Sequence, residues 1–209
     1  DIQLLAENFY DHSTYIRGYS KTTIQRYRWA ISFFCKFLNI KNIEEINDKN
    51  TREFFMNGRV VRNWSPGTFI SYHKSLLVFF RWCIENKHMH QNYIEDIEVP
   101  KLSKSLPKKI TTDDAYKLLD TARNYPYDYH FLRYRNHAIF SMFLFAGLRK
   151  SELLNLKLID VDIENLTIFI TKGKGDKDRI IPMSQTLAHS LKQYIQERKR
   201  LCKTCPQFF

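Results

Sequence analysis

The sequence predicts a mainly α-helical protein with a small antiparallel β-sheet, divided into a helical N-terminal domain and an α+β remainder. Three observations carry that prediction. Apolar residues recur at helical spacing behind good N-cap residues through the first ninety positions. Residues 92–111, with Pro100, Pro107 and several lysines, then break the pattern. Beyond them Leu166, Ile168 and Ile170 alternate as a strand does, and a glycine-containing turn leads to a second short run, Arg179 to Pro182.

The elements follow in order. A short helix covers about residues 4–15. Ser20 caps a longer one in which Ile24, Tyr27, Ile31, Phe34, Cys35 and Leu38 form one stripe, with Arg26, Arg28 and Lys36 on the other face. Residues 39–47 connect, and Asp48 or Asn50 caps a helix bearing Phe54 and Phe55. Ser65-Pro66 opens a fourth, serine at the cap and proline in the first turn, with Phe69, Tyr72, Leu76, Phe79, Phe80 and Cys83 on one side and Lys74 and Arg81 elsewhere. Four such helices can bury a core together. This assigns residues 1–100 to a helical domain, 101–111 to a basic linker and 112–209 to a second domain. There, Thr111 or Thr112 starts a helix, residues 125–134 read as an aromatic-rich loop, and an apolar helix runs over about 136–146. Leu153, Leu154 and Leu156 belong to a further helix, and a final one spans about 184–201.

Composition narrows the function. The chain has 209 residues with 33 Lys+Arg against 22 Asp+Glu, a formal net charge of +11 that points to a polyanionic partner. The excess is spread over both halves, which suits two domains clamping one duplex better than a basic tail. The longest apolar run, residues 138–148, is too short to cross a bilayer, and the expected compartment is the cytoplasm. Cys35 and Cys83 fall in apolar helical stretches and read as core. Cys202-Lys203-Thr204-Cys205 is a lone C-x-x-C, open to half of a zinc site or a redox pair but without a second ligand pair, and is expected to be reduced and structural. No metal and no other cofactor is expected.

Two segments carry candidate chemistry. Gly147-Leu148-Arg149-Lys150-Ser151-Glu152 presents an arginine at the head of a helix, and Gly173-Lys174-Gly175-Asp176-Lys177-Asp178-Arg179 presents lysines in a turn. Fixed cations of this kind stabilise a phosphodiester as charge builds on it. Taken singly, each is also an ordinary helix start or a solvated turn, and Lys172 and Lys177 compete with Lys174.

In order and spacing, these segments resemble the first two active-site motifs of tyrosine recombinases, the phage-integrase and Xer-like enzymes. Gly18-Tyr19-Ser20, Ser65-Pro66, Leu106-Pro107-Lys108-Lys109 and Arg135-Asn136-His137-Ala138 extend the resemblance over essentially the whole chain. The resemblance implies a SAM-like four-helix core-binding domain followed by part of an α+β catalytic domain. It implies that Arg149 grips the scissile phosphate, that Lys174 protonates the leaving 5′ oxygen, and that Glu152 orients rather than reacts. It places the helices bearing Arg26, Arg28, Lys36, Lys74 and Arg81 against double-stranded DNA, with Lys177 and Arg179 toward backbone phosphate or solvent. The implied activity is site-specific strand exchange through a 3′-phosphotyrosine, by a homo-tetramer on paired sites that is a monomer off DNA.

The family completes its site with a His-x-x-Arg box and a tyrosine nucleophile, and neither follows Lys174. Tyr194 falls too early for that role, and His130-Phe131-Leu132-Arg133 precedes Arg149, in the expected loop, as a coincidence of letters. The expectation is a truncated recombinase, inactive alone, with the nucleophile absent from these residues. The alternative is a module that occupies recombination sites without cutting. A helical transcription regulator is a more distant reading that has no use for the lysine turn.

Overall fold

A computed structural model describes residues 1–103, 106, 109–171 and 177–209. The chain divides into two compact units, Asp1–Leu106 and Pro107–Phe209.

The first unit is helical. α1 (Ile2–Asp11) continues through a π-helical turn at His12–Ile16, where the sequence predicted one regular helix over 4–15. α2 (Lys21–Leu38) starts at Ser20, whose Oγ accepts from the Thr23 amide, and stops where Asn39 turns left-handed at φ 52°. α3 (Asp48–Val60) is capped by Asn47 rather than by Asp48 or Asn50: Asn47 and Asn50 each accept the other's backbone N–H at 3.0 Å. α4 (Pro66–Glu85) begins at Ser65 as the Ser-Pro pair predicts. Phe9, Ile31, Phe34, Phe54, Leu76, Phe79, Phe80 and Cys83 fill the core. Aromatic packing dominates it: Trp64 stacks on Tyr72 at 4.4 Å, and a Cβ added to Gly58 would overlap the Trp64 indole.

In the second unit, α5 (Thr112–Asn124) is capped by Thr111. α6 (His130–Ser141) begins six residues earlier than the sequence predicts, inside the expected aromatic loop. Tyr129, its N-cap, supplies no side-chain cap, so tertiary packing fixes this end. Phe131 lies 5.7 Å from the Tyr194 ring of α8 (Gln185–Arg200), and Ala138 and Met142 enter the same core. His130 and Arg133 therefore lie on a helix, not in a loop.

A π-helical turn at Met142–Ala146 ends in Gly147 at φ 62°, a conformation glycine adopts without a Cβ penalty. α7 (Lys150–Asn155) follows and is only six residues long; Leu156 lies beyond its end, and Leu154 faces solvent. Three antiparallel strands run in the order β1 (Val161–Asp162), β2 (Thr167–Ile170), β3 (Arg179–Pro182), with Ile170 opposite Arg179 and Thr167 opposite Pro182. β1 is two residues long and gave no periodic signal. Ile168 and Ile170 are buried while Phe169 is exposed, the alternation the sequence predicts. Residues 206–208 return beside 156–158: the Phe208 amide donates to the Leu156 carbonyl at 2.7 Å, and the Leu158 amide donates to the Pro206 carbonyl at 3.0 Å.

Candidate functional site

The site grows from Glu152. The left-handed Gly147 and the buried Leu148 turn the chain so that Arg149 is the N-cap of α7, extended at φ −73°, ψ 150°. Three residues on, Glu152 points back into that turn. Its side chain is 4% exposed, while that of Arg149 is 56% exposed. Glu152 Oε2 accepts the Arg149 amide at 2.8 Å, and Oε1 accepts Arg149 Nη1 at 2.9 Å. The carboxylate thus satisfies an otherwise orphaned helix-start amide and holds the guanidinium of the same residue.

A second arginine closes the arrangement. Arg179, the first residue of β3, donates Nη1 to Glu152 Oε1 and Nη2 to Oε2, both at 2.8 Å, a two-point fork on the carboxylate. Four donors on one carboxylate favour its charged form. The Arg179 hydrogen bonds, ahead of those from Arg149, hold the Glu152 carboxyl down at about 2. Two guanidinium groups around one carboxylate leave the cluster with a net positive charge. The sequence put Arg179 toward phosphate or solvent; here its guanidinium is committed to Glu152. Nothing but opposite charge, 27 residues apart, signals that pairing in the sequence.

Lys174 lies outside the described residues. Lys177 is exposed. On the N-terminal unit, Arg26, Lys36, Lys74 and Arg81 are exposed, but the cations differ in partnering. Arg28 forks onto Glu7 at 2.7 and 2.9 Å and lies over the Tyr10 ring at 4.3 Å. Arg81 donates to Glu95 at 3.0 Å. The sequence reading missed both acidic partners, which sit on other elements.

Tyr194 is fully buried, and its hydroxyl donates to the Phe208 carbonyl at 2.6 Å. Arg198, also buried, bonds the Phe208 and Cys205 carbonyls and the Cys205 sulfur. These two side chains pin residues 205–208, a structural role that the sequence did not reveal. Cys202 and Cys205 are exposed and unbridged, and no His, Cys, Asp or Glu cluster suited to a metal ion occurs among the described residues. No helix among those residues is long and apolar enough to cross a membrane.

Comparison with known proteins gives the same frame. Residues 108–204 match the phage integrase family and residues 5–89 match the phage integrase N-terminal SAM-like domain. The tyrosine recombinase XerD of Listeria monocytogenes is 31% identical over 201 residues, covering 93% of this chain and 65% of the relative. The chain therefore spans just under two thirds of that relative's length. Two solved structures share the fold at low identity. The Tn1549 transposon integrase in complex with transposon right end DNA has a TM-score of 0.70 at 18% identity, covering 93% of this chain and 65% of that one. A lambda integrase dimer bound to a COC′ core site has a TM-score of 0.69 at 19% identity, covering 96% and 55%.

Proposed function

The chain belongs to the phage integrase family of tyrosine recombinases, and on that premise we propose that it carries the duplex-binding bundle and the phosphate-gripping half of a site-specific DNA strand-exchange site. The carrying observation is the posture of Arg149: a fixed, mostly exposed guanidinium at the head of α7, held from behind by a buried carboxylate.

In this reading, duplex DNA meets the basic surfaces of both units, with Arg26, Arg28, Lys36, Lys74, Arg81 and Lys177 as candidate contacts. Arg149 donates to the non-bridging oxygens of the scissile phosphate, where negative charge grows as the phosphorus becomes five-coordinate. Lys174 gives its proton to the departing 5′ oxygen, which would otherwise leave as an alkoxide. The attacking group is a tyrosine hydroxyl, and the 3′-phosphotyrosine keeps the energy of the broken bond, so rejoining needs neither nucleotide nor metal. Tyr194 does not serve as that nucleophile, because its hydroxyl is buried and already donates to Phe208. The tyrosine belongs to the full-length protein, as do tetrameric assembly on paired sites and a cytoplasmic setting.

The test is covalent capture. Full-length protein incubated with a nicked duplex should form an adduct that survives detergent and yields a phosphotyrosine peptide on digestion. Duplex binding with no adduct would replace this reading with that of a module that occupies a site without cutting it.

A further inference from the structure

We propose that Arg179 is a positioning residue: it neutralises Glu152, so that Arg149 meets a phosphate as a full cation rather than as one end of an ion pair. The inference rests on the reading of Arg149 as the phosphate-gripping group.

The geometry sets a problem that Arg179 solves. Glu152 is needed to orient Arg149, because it accepts both the backbone amide and Nη1 of that residue. The same carboxylate lies within one hydrogen bond of the guanidinium that must attract an anion. A lone Arg149–Glu152 pair sums to zero charge, and its carboxylate, buried at 4% side-chain exposure, would repel an arriving phosphate with little water to screen it. Arg179 faces that carboxylate with both Nη atoms at 2.8 Å and restores a net charge of plus one. Its own side chain is 36% exposed against 56% for Arg149. The two arginines therefore divide the work: one occupies the carboxylate, the other keeps more of its surface open to solvent.

Arg179 opens β3 and is paired in register with Ile170 of β2, so its backbone is fixed by the sheet while its guanidinium reaches α7. In sequence it follows Lys174 by five residues. A single fork thus fastens the strand after the lysine segment to the helix that Arg149 opens.

The test uses the 209-residue chain with inorganic phosphate as the probe, following the Arg149 Nε–Hε resonance. Arg179→Ala should weaken the phosphate response at least about fivefold. Arg179→Lys keeps the charge but loses the fork, and should stay within about threefold of the parent. With Glu152→Gln already in place there is no carboxylate charge to neutralise, so adding Arg179→Ala should bring no further loss. An unchanged phosphate response in Arg179→Ala overturns the proposal. So does a loss of the same size in the Glu152→Gln background, and so does a loss that Lys does not rescue while thermal unfolding stays at the parent temperature.

Failure of the full-length protein to form a covalent adduct, with the phosphate results as expected, counts against recombination and not against this role of Arg179.

Discussion

At the scale of single residues, Glu152 is the group on which the site turns, and its titration makes the arrangement testable. Its carboxyl is held at about 2 in the folded chain against an ordinary 4.5. A folded value below the unfolded one contributes stability that is complete above the unfolded value and drains away as pH falls through the folded one. The stability difference between the parent and Glu152→Gln should therefore be constant from pH 7 to about 5 and shrink between about 4.5 and 2. Denaturant unfolding over a pH series measures it, and an undiminished difference at pH 2.5 would mean the carboxylate is not held as described. The cysteines give a second check. Burial pushes the Cys35 thiol up to about 11 and the Cys83 thiol up to about 12, whereas the Arg198 guanidinium lowers that of exposed Cys205. Iodoacetamide followed by peptide mass spectrometry should find Cys205 and Cys202 modified well before Cys35 and Cys83 in the native chain. Of these residues, Arg149 and Glu152 were legible as letters at a fixed spacing. The Arg179 fork was not, because a contact between a helix and a strand has no local signature.

At the scale of elements, caps were the readable part. Ser20, Ser65, Thr111 and Ser184 each accept the backbone N–H three residues on, and each marks the helix start that the sequence predicts within a residue. Ser65→Ala should destabilise the N-terminal unit by about 1 kcal/mol, the usual cost of a lost serine cap, measurable by thermal or urea unfolding. A change below about 0.3 kcal/mol would mean that Pro66 and core packing fix the start of α4 without the hydroxyl. α6 shows the opposite case. Its first five residues include Phe131 and Tyr134 and its N-terminus lacks a side-chain cap, so local chemistry argues for a loop, and packing of Phe131 against Tyr194 decides otherwise. The two-residue β1 falls below what alternation can signal, and Asn47, Asp48 and Asn50 are all good cap types, so only the reciprocal Asn47–Asn50 bonds single out Asn47.

At the scale of the whole molecule, two units with separate cores carry one basic excess, and the proposed function gives each a part: duplex binding to one, contact with its phosphate to the other. The sequence expectation puts a linker at residues 101–111, where prolines and lysines interrupt helical periodicity; the compact units divide between Leu106 and Pro107. Which cations carry an acidic partner was less visible, since Arg28 and Arg81 read as open cations until Glu7 and Glu95 are placed beside them. In the proposed function Arg149 acts on the phosphate in the transition state and not merely in holding DNA. The direct measurement is single-turnover cleavage of a nicked duplex by full-length protein with and without Arg149→Ala, with duplex affinity measured on the same samples. Adduct formation should slow by about a hundred- to a thousandfold, the scale of losing a principal charge-stabilising donor, with affinity changed less than about threefold. Equal losses of binding and cleavage, or cleavage that survives the substitution, would contradict it.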